Sequence, residues 1–191
     1  MINTHKALII LGMKPFKVLK TEKLVWKPYC KVEQQLVEIP DGDTRDWYVF
    51  HNENAVIIVP VLEDGSVLLQ RNYKHGSGEI VTEFPAGMMD QGETPAVGAA
   101  RELLEETGYS AQSFEWMQGL FVNPTSSPMK HHMVLARNCA STNAPEREPE
   151  EQIEPFLLPN LEVAIDLLLQ KETLTSEGTV AAALCALRFL D

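Results

Sequence analysis

The sequence predicts a mixed α/β fold in which strands surround one amphipathic helix and further helices follow. Three observations carry this prediction. Residues 16–84 are dominated by short runs of strand composition separated by turn signals. Residues 94–108 carry the start and stop signals of a helix, and two apolar helical segments follow residue 159. This order of elements favours a mixed sheet sandwiched between helices.

The first fifty residues predict an antiparallel sheet that precedes the main domain. Its strand-like runs are residues 16–27, 29–39 and 46–51. A turn cluster, Pro40-Asp41-Gly42-Asp43, separates the second run from the third. Trp26 and Trp47 lie in these runs, where they either pack the sheet or form a platform on which a flat base stacks. We therefore divide the chain into a strand-rich extension over 1–51 and a main domain over 52–191.

The main domain is expected to contain six strands and, besides the central helix, two helices. The strands are predicted at 55–62, 67–73, 78–84, 111–122 (with a break near Gly119), 132–136 and 153–158, and the helices at 160–171 and 176–190. Residues 55–62 are apolar throughout, which is typical of a strand buried on both faces. Asp64-Gly65 then indicates a hairpin. Residues 143–151 are polar and proline-rich, and we expect a mobile surface loop there.

Composition and charge limit the class of protein. The chain has 191 residues, of which 45% are hydrophobic and 23% charged, and its formal net charge is −11. This acidity argues against a nucleic-acid-binding surface, and an enzyme for an anionic substrate would need local cations or a metal. The apolar run over 7–13 is too short to span a bilayer, and no clear cleavage site of a signal peptide follows it. Three widely spaced cysteines fit a reduced, cytoplasmic compartment.

The central helix carries an acidic face. Thr94 suits the N-cap and Gly108 suits the left-handed residue at the end. Spacings of three and four place Glu102, Glu105 and Glu106 on one side, opposite an apolar stripe. Such triplets are most often solvated surface, yet unpaired like charges cost roughly 0.2–0.5 kcal/mol per pair. We therefore expect a cation over this face, and hard divalent cations prefer carboxylate oxygens.

The residues around this helix form a longer motif. Gly87 is followed by five residues and Glu93, and then by seven residues and Arg101-Glu102-Leu103-Leu104-Glu105-Glu106-Thr107-Gly108-Tyr109. This spacing resembles the complete Nudix box, with Tyr109 where the family more often has an aliphatic residue. The resemblance implies the Nudix fold, a mixed sheet between helices.

The resemblance also implies a metal site. In the family the box holds a divalent cation, usually Mg²⁺ and sometimes Mn²⁺. Carried onto this chain, the implied ligands are the carbonyl of Ala86 and the carboxylates of Glu102, Glu105 and Glu106. Structural roles fall to Gly87, Gly108 and Glu93, the last pairing with Arg101.

Hydrolysis of a substituted diphosphate suits such a site. A carboxylate base would take a proton from water, and relatives that cleave ADP-ribose often place this base in a loop before the last strand. The candidates here are Glu148, Glu150, Glu151 and Glu154, of which Glu151 is the first choice and Glu150 the second. Glu105 remains a further catalytic candidate within the box.

Three local features resemble the ADP-ribose pyrophosphatase branch of the family. They are Glu83-Phe84-Pro85-Ala86-Gly87 before the box, Arg71-Asn72-Tyr73-Lys74 with lysine where arginine is common, and Pro124 fifteen residues after Tyr109. The implied substrate-binding residues are Arg71, Lys74, Trp26, Trp47, Glu83 and Pro124. A small-molecule nucleoside diphosphate sugar is the implied partner, and the N-terminal strands imply a homodimer.

Other substrates and roles stay open. After Pro124 the sequence reads TSSPMKHH, which departs from the branch and admits another sugar nucleotide such as GDP-mannose. A dinucleoside polyphosphate or a nucleoside triphosphate is a further alternative. A non-catalytic module that senses a nucleotide sugar is the third, although such modules tend to lose box glutamates.

Overall fold

The protein is described by a computed structural model that covers residues 13–28, 30–147, 149 and 151–190. Eleven strands and three helices lie in these residues. The strands are β1 (Lys17–Lys27), β2 (Cys30–Glu38), β3 (Thr44–Phe50), β4 (Ala55–Leu62), β5 (Val67–Lys74), β6 (Glu79–Glu83), β7 (Ala86–Met88), β8 (Tyr109–Ser110), β9 (Ser113–Phe121), β10 (Lys130–Ser141) and β11 (Ile153–Leu158). The helices are α1 (Pro95–Thr107), α2 (Leu161–Leu168) and α3 (Glu177–Ala186). Of the apolar run over 7–13, all but Met13 lies outside the described residues.

The contacts divide the chain into two units. The first comprises the chain up to Asn52 together with Asn123–Met129, and the second comprises Glu53–Val122 and the chain from Lys130 onward. The predicted division into 1–51 and 52–191 stays a prediction. None of the described helices is long and apolar enough to cross a membrane.

The first unit is a three-stranded antiparallel sheet in the order β1-β2-β3. Every residue of β1 is exposed, whereas Val37 of β2 is buried. The 123–129 segment joins this sheet through hydrogen bonds. Trp47 Nε1 donates to the Thr125 carbonyl at 2.8 Å, and the Phe50 amide donates to the Ser126 carbonyl at 2.8 Å. The antiparallel N-terminal sheet expected from the sequence is confirmed.

The second unit is built on an eight-stranded mixed sheet. Its central path runs β11-β5-β4-β10-β8, with β6 paired to β5, β7 to β4 and β9 to β10. β4 and β10 are parallel, and the other pairs are antiparallel. Residues 55–60 of β4 are buried, as its uninterrupted apolar run predicts.

Helices cover both faces of this sheet because successive strand residues point in opposite directions. On β4, Val56 and Ile58 belong to the core beneath α1, with Ala99 and Leu103. Ile57 and Val59 belong to the other core, beneath α2 and α3. The predicted sandwich of helices around a mixed sheet is therefore confirmed.

The structure corrects several element boundaries. Strands β7 and β8 are too short to be seen in the sequence pattern. β10 extends over 130–141 instead of 132–136, because a bulge at Asn138 (φ +53°) lets the ladder continue past the polar residues. The irregularity of β9 falls between Trp116 and Gln118 instead of at Gly119. Helix α2 ends at Leu168 and α3 at Ala186, three and four residues before the predicted ends.

Candidate active site

Helix α1 is fixed at both ends by its own sequence. The Thr94 hydroxyl accepts a hydrogen bond from the Val97 amide at 3.4 Å. Gly108 adopts φ +74°, and its amide donates to the Leu104 carbonyl at 2.8 Å. Packing of Ala99 and Leu103 on the sheet then sets the rotation of the helix.

This rotation buries two of the three glutamates. Glu102 is 9% exposed and Glu106 is 3% exposed, whereas the side chain of Glu105 is 43% exposed. Burial raises the pKa of Glu106 to about 8, although hydrogen bonds from the Ala86 amide (3.0 Å) and Gln70 Nε2 (3.1 Å) oppose the shift. Burial also raises the pKa of Glu102, and the negative charges of Glu105 and Glu151 add to that shift. The site is therefore deficient in positive charge.

Arg101 is the cation on this face. Its Nε and Nη2 atoms donate to the two carboxylate oxygens of Glu93, each at 3.1 Å. Its Nη1 donates to Glu102 at 2.8 Å and to Glu105 at 3.0 Å, and its Nη2 also donates to the Met88 carbonyl at 2.8 Å. Hydrogen bonding to Arg101 lowers the pKa of Glu93, whose carboxylate also accepts from the Asp90 amide. Arg101 thus ties the loop before α1 to the helix itself.

Gly87 lies directly against the Glu102 carboxylate. A Cβ at this position would lie 2.1 Å from the carboxyl carbon of Glu102 and 2.2 Å from the nearer oxygen. The backbone of the box loop can pass over Glu102 only because residue 87 has no side chain.

The donors around Glu102 fit a hard divalent cation in their chemistry. The implied set, Ala86, Glu102, Glu105 and Glu106, offers only oxygen, and two of its carboxylates are buried with raised pKa values. Within the described parts of the chain, however, no group of three or more His, Cys, Asp or Glu residues is arranged to hold a metal ion. Arg101 bonds the oxygens of Glu102 and Glu105, so these oxygens would have to exchange Arg101 for the cation.

A cleft of about 390 Å³ lies in the second unit and brings together other predicted residues. Its lining comprises Arg71, Tyr73, Ile80, Arg147, Glu151, Gln152, Ile153 and Glu154. Arg71 forms an exposed ion pair with Glu154 at 3.7 Å and lies over the ring of Phe156. Glu151 is thus placed beside the cleft, whereas Glu148 and Glu150 lie outside the described residues.

Lys74 and Glu83 are joined to each other. Lys74 Nζ lies 2.7 Å from Glu83 Oε1, which also accepts from Asn72 Nδ2 at 3.0 Å. Glu83 is buried, and its charge contributes to the raised pKa of Glu106. Glu83 therefore belongs electrostatically to the acidic site, with Lys74 as its counter-ion.

Trp26, Trp47 and Pro124 lie in the first unit. Lys23 Nζ lies 4.2 Å from the ring centroid of Trp26, which is 44% exposed. Trp47 contacts Phe16 edge-on and bonds the Thr125 carbonyl. Trp47 thus packs within the first unit, while Trp26 keeps much of its surface accessible, and a base-stacking role stays a prediction for both.

Sequence reasoning missed Gln70 and Arg147. Gln70 is fully buried on β5 and bonds Glu106. The sequence could have indicated Gln70, because it is a polar residue on the same strand face as the apolar Leu68, which lies two positions before it. Arg147 was a lone basic residue among the glutamates and prolines of 143–151.

The chain is similar in sequence to a known protein family and to several of its characterised relatives. The NUDIX domain family model matches residues 51–177. An ADP-sugar pyrophosphatase of Mus musculus is 30% identical over 178 residues, and the alignment covers 84% of this chain and 82% of the mouse protein. A methanol dehydrogenase activator of Bacillus methanolicus is 25% identical over 165 residues, covering 86% and 89% of the two chains.

A solved structure is similar along nearly the whole chain. The crystal structure of an ADP compounds hydrolase aligns with a TM-score of 0.81 and 25% identity, covering 93% of this chain and 95% of that one. Together with the family match over more than half of the chain, this shows that the protein belongs to the Nudix hydrolase family, among its ADP-ribose pyrophosphatase-like members.

Proposed function

We propose that the protein hydrolyses the diphosphate of ADP-ribose or a related nucleoside diphosphate sugar, using Mg²⁺ or Mn²⁺, to a nucleoside monophosphate and a sugar phosphate. The observation that carries this proposal is the pair of buried carboxylates next to the box loop: Glu102 lies against Gly87, and Glu106 accepts a hydrogen bond from the Ala86 amide. Their raised pKa values fit a site that is completed by a cation. The names of the mouse pyrophosphatase and of the ADP compounds hydrolase support the substrate class.

Each residue has a proposed part in this reaction. Glu102 and Glu106 would hold the cation with Glu105 and the Ala86 carbonyl, while Arg101 and Glu93 keep the loop against the helix. A cation held there would supply positive charge to phosphate oxygens and would lower the pKa of a water molecule. Glu151 takes a proton from the attacking water, Glu150 remains the second choice of base, and Glu105, which is partly exposed, is a further candidate. The new bond joins the water oxygen to one phosphorus, and the bridging P–O bond breaks.

We propose the substrate contacts from the charge and exposure of the side chains. Arg71 lines the cleft beside Glu151 and offers a cation to a phosphate. Lys74, paired with Glu83, supplies a second charge at the end of β5. The exposed ring of Trp26, with Trp47 and Pro124, is proposed to receive the base. We further propose a homodimer formed through the strand-rich extension, and a cytoplasmic location.

A substrate panel tests this function. ADP-ribose, GDP-mannose, a dinucleoside polyphosphate and a nucleoside triphosphate are each incubated with the protein and Mg²⁺ or Mn²⁺, and phosphate is measured after phosphatase treatment. ADP-ribose or another sugar nucleotide should be the best substrate. Preferential cleavage of the polyphosphates would reject the substrate class. Tight binding of a sugar nucleotide without turnover would instead identify a non-catalytic sensing module.

Glu106→Gln tests the metal site within this function. We expect kcat to fall by about 10²–10³-fold, as when a group that stabilises developing charge is lost. The fold should persist, because glutamine is similar in shape. Glu172→Gln removes an exposed carboxylate and serves as the control. A rate for Glu106→Gln equal to that of the control would refute the assignment.

A further inference from the structure

The chain that follows β10 lies along the last turn of α1. A helix leaves its final carbonyls without intrahelical partners. Here the Thr142 amide donates to the Gly108 carbonyl at 2.9 Å, and the Glu146 amide donates to the Glu105 carbonyl at 2.9 Å. Residues 142–146, which overlap the predicted surface loop over 143–151, are therefore hydrogen-bonded to the C-terminal end of α1.

Arg147 extends this attachment with its side chain. Its Nε donates to the Glu106 carbonyl at 2.7 Å, and its Nη1 donates to the Ile153 carbonyl at 2.7 Å. The first acceptor lies in the last turn of α1, and the second is the first residue of β11. A cation is favourable at the C-terminal end of a helix, and charge-assisted hydrogen bonds are stronger than neutral ones. One half-buried guanidinium thus joins two elements of the second unit.

Glu151 lies between the two ends of this connection. It follows Arg147 and precedes Ile153 in the sequence, and it lines the same cleft as Arg147. Its charge also acts on the carboxylate of Glu102. The two bonds of Arg147 therefore attach the chain to α1 before Glu151 and to β11 after it.

We propose that Arg147 is a positioning residue, a guanidinium clamp that holds Glu151 in place relative to Glu102 and Glu106. This inference rests on the proposed function, because it gives Arg147 its role through the candidate base. The two bonds require diverging N–H groups, and a lysine ammonium keeps the charge without that fork. Lysine should therefore substitute poorly at this position.

The first test measures kinetics in the metal-loaded enzyme. For Arg147→Ala we expect kcat to fall by about 10²-fold, the size of effect that a small misplacement of a reacting group can produce, while KM changes little. Arg147→Lys should recover only a minor part of the loss. Arg188→Ala removes an exposed arginine of the same unit and should keep the normal rate. A normal kcat for Arg147→Ala, or full recovery with lysine, would overturn the clamp.

A double-mutant cycle asks whether Arg147 acts through Glu151. In the Glu151→Gln background, adding Arg147→Ala should lower kcat by less than about twofold, because the group to be positioned is already absent. An equal loss in both backgrounds would overturn the proposal. A normal rate for Glu151→Gln alone would overturn it as well, since Glu151 would then have no role to support.

Amide hydrogen exchange separates the clamp from the proposed function, because it needs neither metal nor substrate. In Arg147→Ala the amide of Glu146 should exchange at least about tenfold faster than in the unsubstituted protein and in Arg188→Ala. Unchanged exchange would overturn the clamp even in an active enzyme. Absence of turnover in the unsubstituted protein would reject the proposed function and leave the exchange result to decide on the clamp.

Discussion

Gly87 controls the geometry of the acidic face because it has no side chain. The absence of a Cβ is required because the Glu102 carboxylate occupies that space. For Gly87→Ala we expect Glu102 or β7 to shift, which should lower kcat by about 10–100-fold and cost about 1–3 kcal/mol of stability. Steady-state kinetics and urea denaturation measure the two effects.

Gly76→Ala is the matched control for this substitution. A Cβ at Gly76 would meet nothing within 4 Å. Both activity and stability should therefore stay near those of the unsubstituted protein. If Gly87→Ala behaved like Gly76→Ala, the close approach to Glu102 would have no importance for the site.

Strand β5 turns amides toward two buried acids. Gln70 bonds Glu106, and Asn72 bonds Glu83. Alternation along a strand places residues 68, 70 and 72 on one face, so the apolar core at Leu68 gives way to polar partners next to the site. Strand β5 therefore contributes Leu68 to the apolar core, and Gln70 and Asn72 to hydrogen bonds with the buried acids.

Gln70→Leu should separate these two roles. Gln70 Oε1 is buried and has no hydrogen-bond partner among the described residues, so leucine removes a desolvation cost along with the bond to Glu106. We expect the metal-free protein to keep its stability within about 1 kcal/mol, whereas affinity for Mn²⁺ should fall by about tenfold. Urea denaturation in EDTA and calorimetric titration provide the two measurements.

Gln170→Leu, which changes an exposed glutamine, controls for the added apolar surface. The expectation would be contradicted if Gln70→Leu lost several kcal/mol of stability while binding Mn²⁺ normally. Gln70 would then be a packing residue whose contact with Glu106 has no functional weight.

For the whole molecule, the buried acids predict how stability depends on pH. Burial raises the pKa of Glu106 from its ordinary 4.5 to about 8, so between these values the folded state holds a proton that the unfolded state has released. Stability is then fully present below about 4.5 and is lost as the pH rises toward 8. Glu102 shifts in the same direction. Burial lowers the pKa values of His131 and His132 from 6.5, and this acts in the opposite direction below about pH 7. The melting temperature in EDTA should therefore fall between pH 7 and 8.5.

Glu106→Gln should flatten this dependence, because its side chain does not titrate. Glu93, whose pKa is lowered mainly by its hydrogen bond to Arg101, contributes stability above the unfolded pKa and loses it only at more acidic pH. It therefore does not disturb the chosen window. A melting temperature that rose from pH 7 to 8.5 would contradict the assignment of a protonated Glu106.

The fold was largely predictable because it depends on local patterns. The apolar run of 55–62 and the acidic and apolar faces of 95–107 are visible in sequence order, and both elements lie where they were predicted. The predicted ends of strands were wrong where pairing with a neighbouring strand determines how far the strand extends. β10 continues through Arg137 only because β4 and β9 offer partners, and β7 exists only because β4 accepts it.

Helical periodicity predicted the candidate site only along α1, and the motif resemblance added the pairing of Glu93 with Arg101. Helical spacing alone placed Glu102 and Glu106 together, but it could not reveal that both would be buried. Their other partners come from distant segments, such as Gln70 on β5 and the Ala86 amide. The contact of Arg147 with the Glu106 carbonyl depends on how the chain returns after β10. Such contacts arise from tertiary structure, and the periodicity of the sequence cannot predict them.

The parallel pairing of β4 with β10 has a consequence for folding. Ala55 pairs with His131 and Leu62 with Cys139, so residues 63–129 separate the paired strands in sequence. During synthesis β4 emerges long before its parallel neighbour, and non-local pairing of this kind slows folding. Until β10 arrives, one edge of an uncharged, β-branched run remains open to other nascent chains. Aggregation during expression should therefore begin at AVIIV, the part of this run that precedes Pro60, and a chaperone that shields it should raise the yield of folded protein.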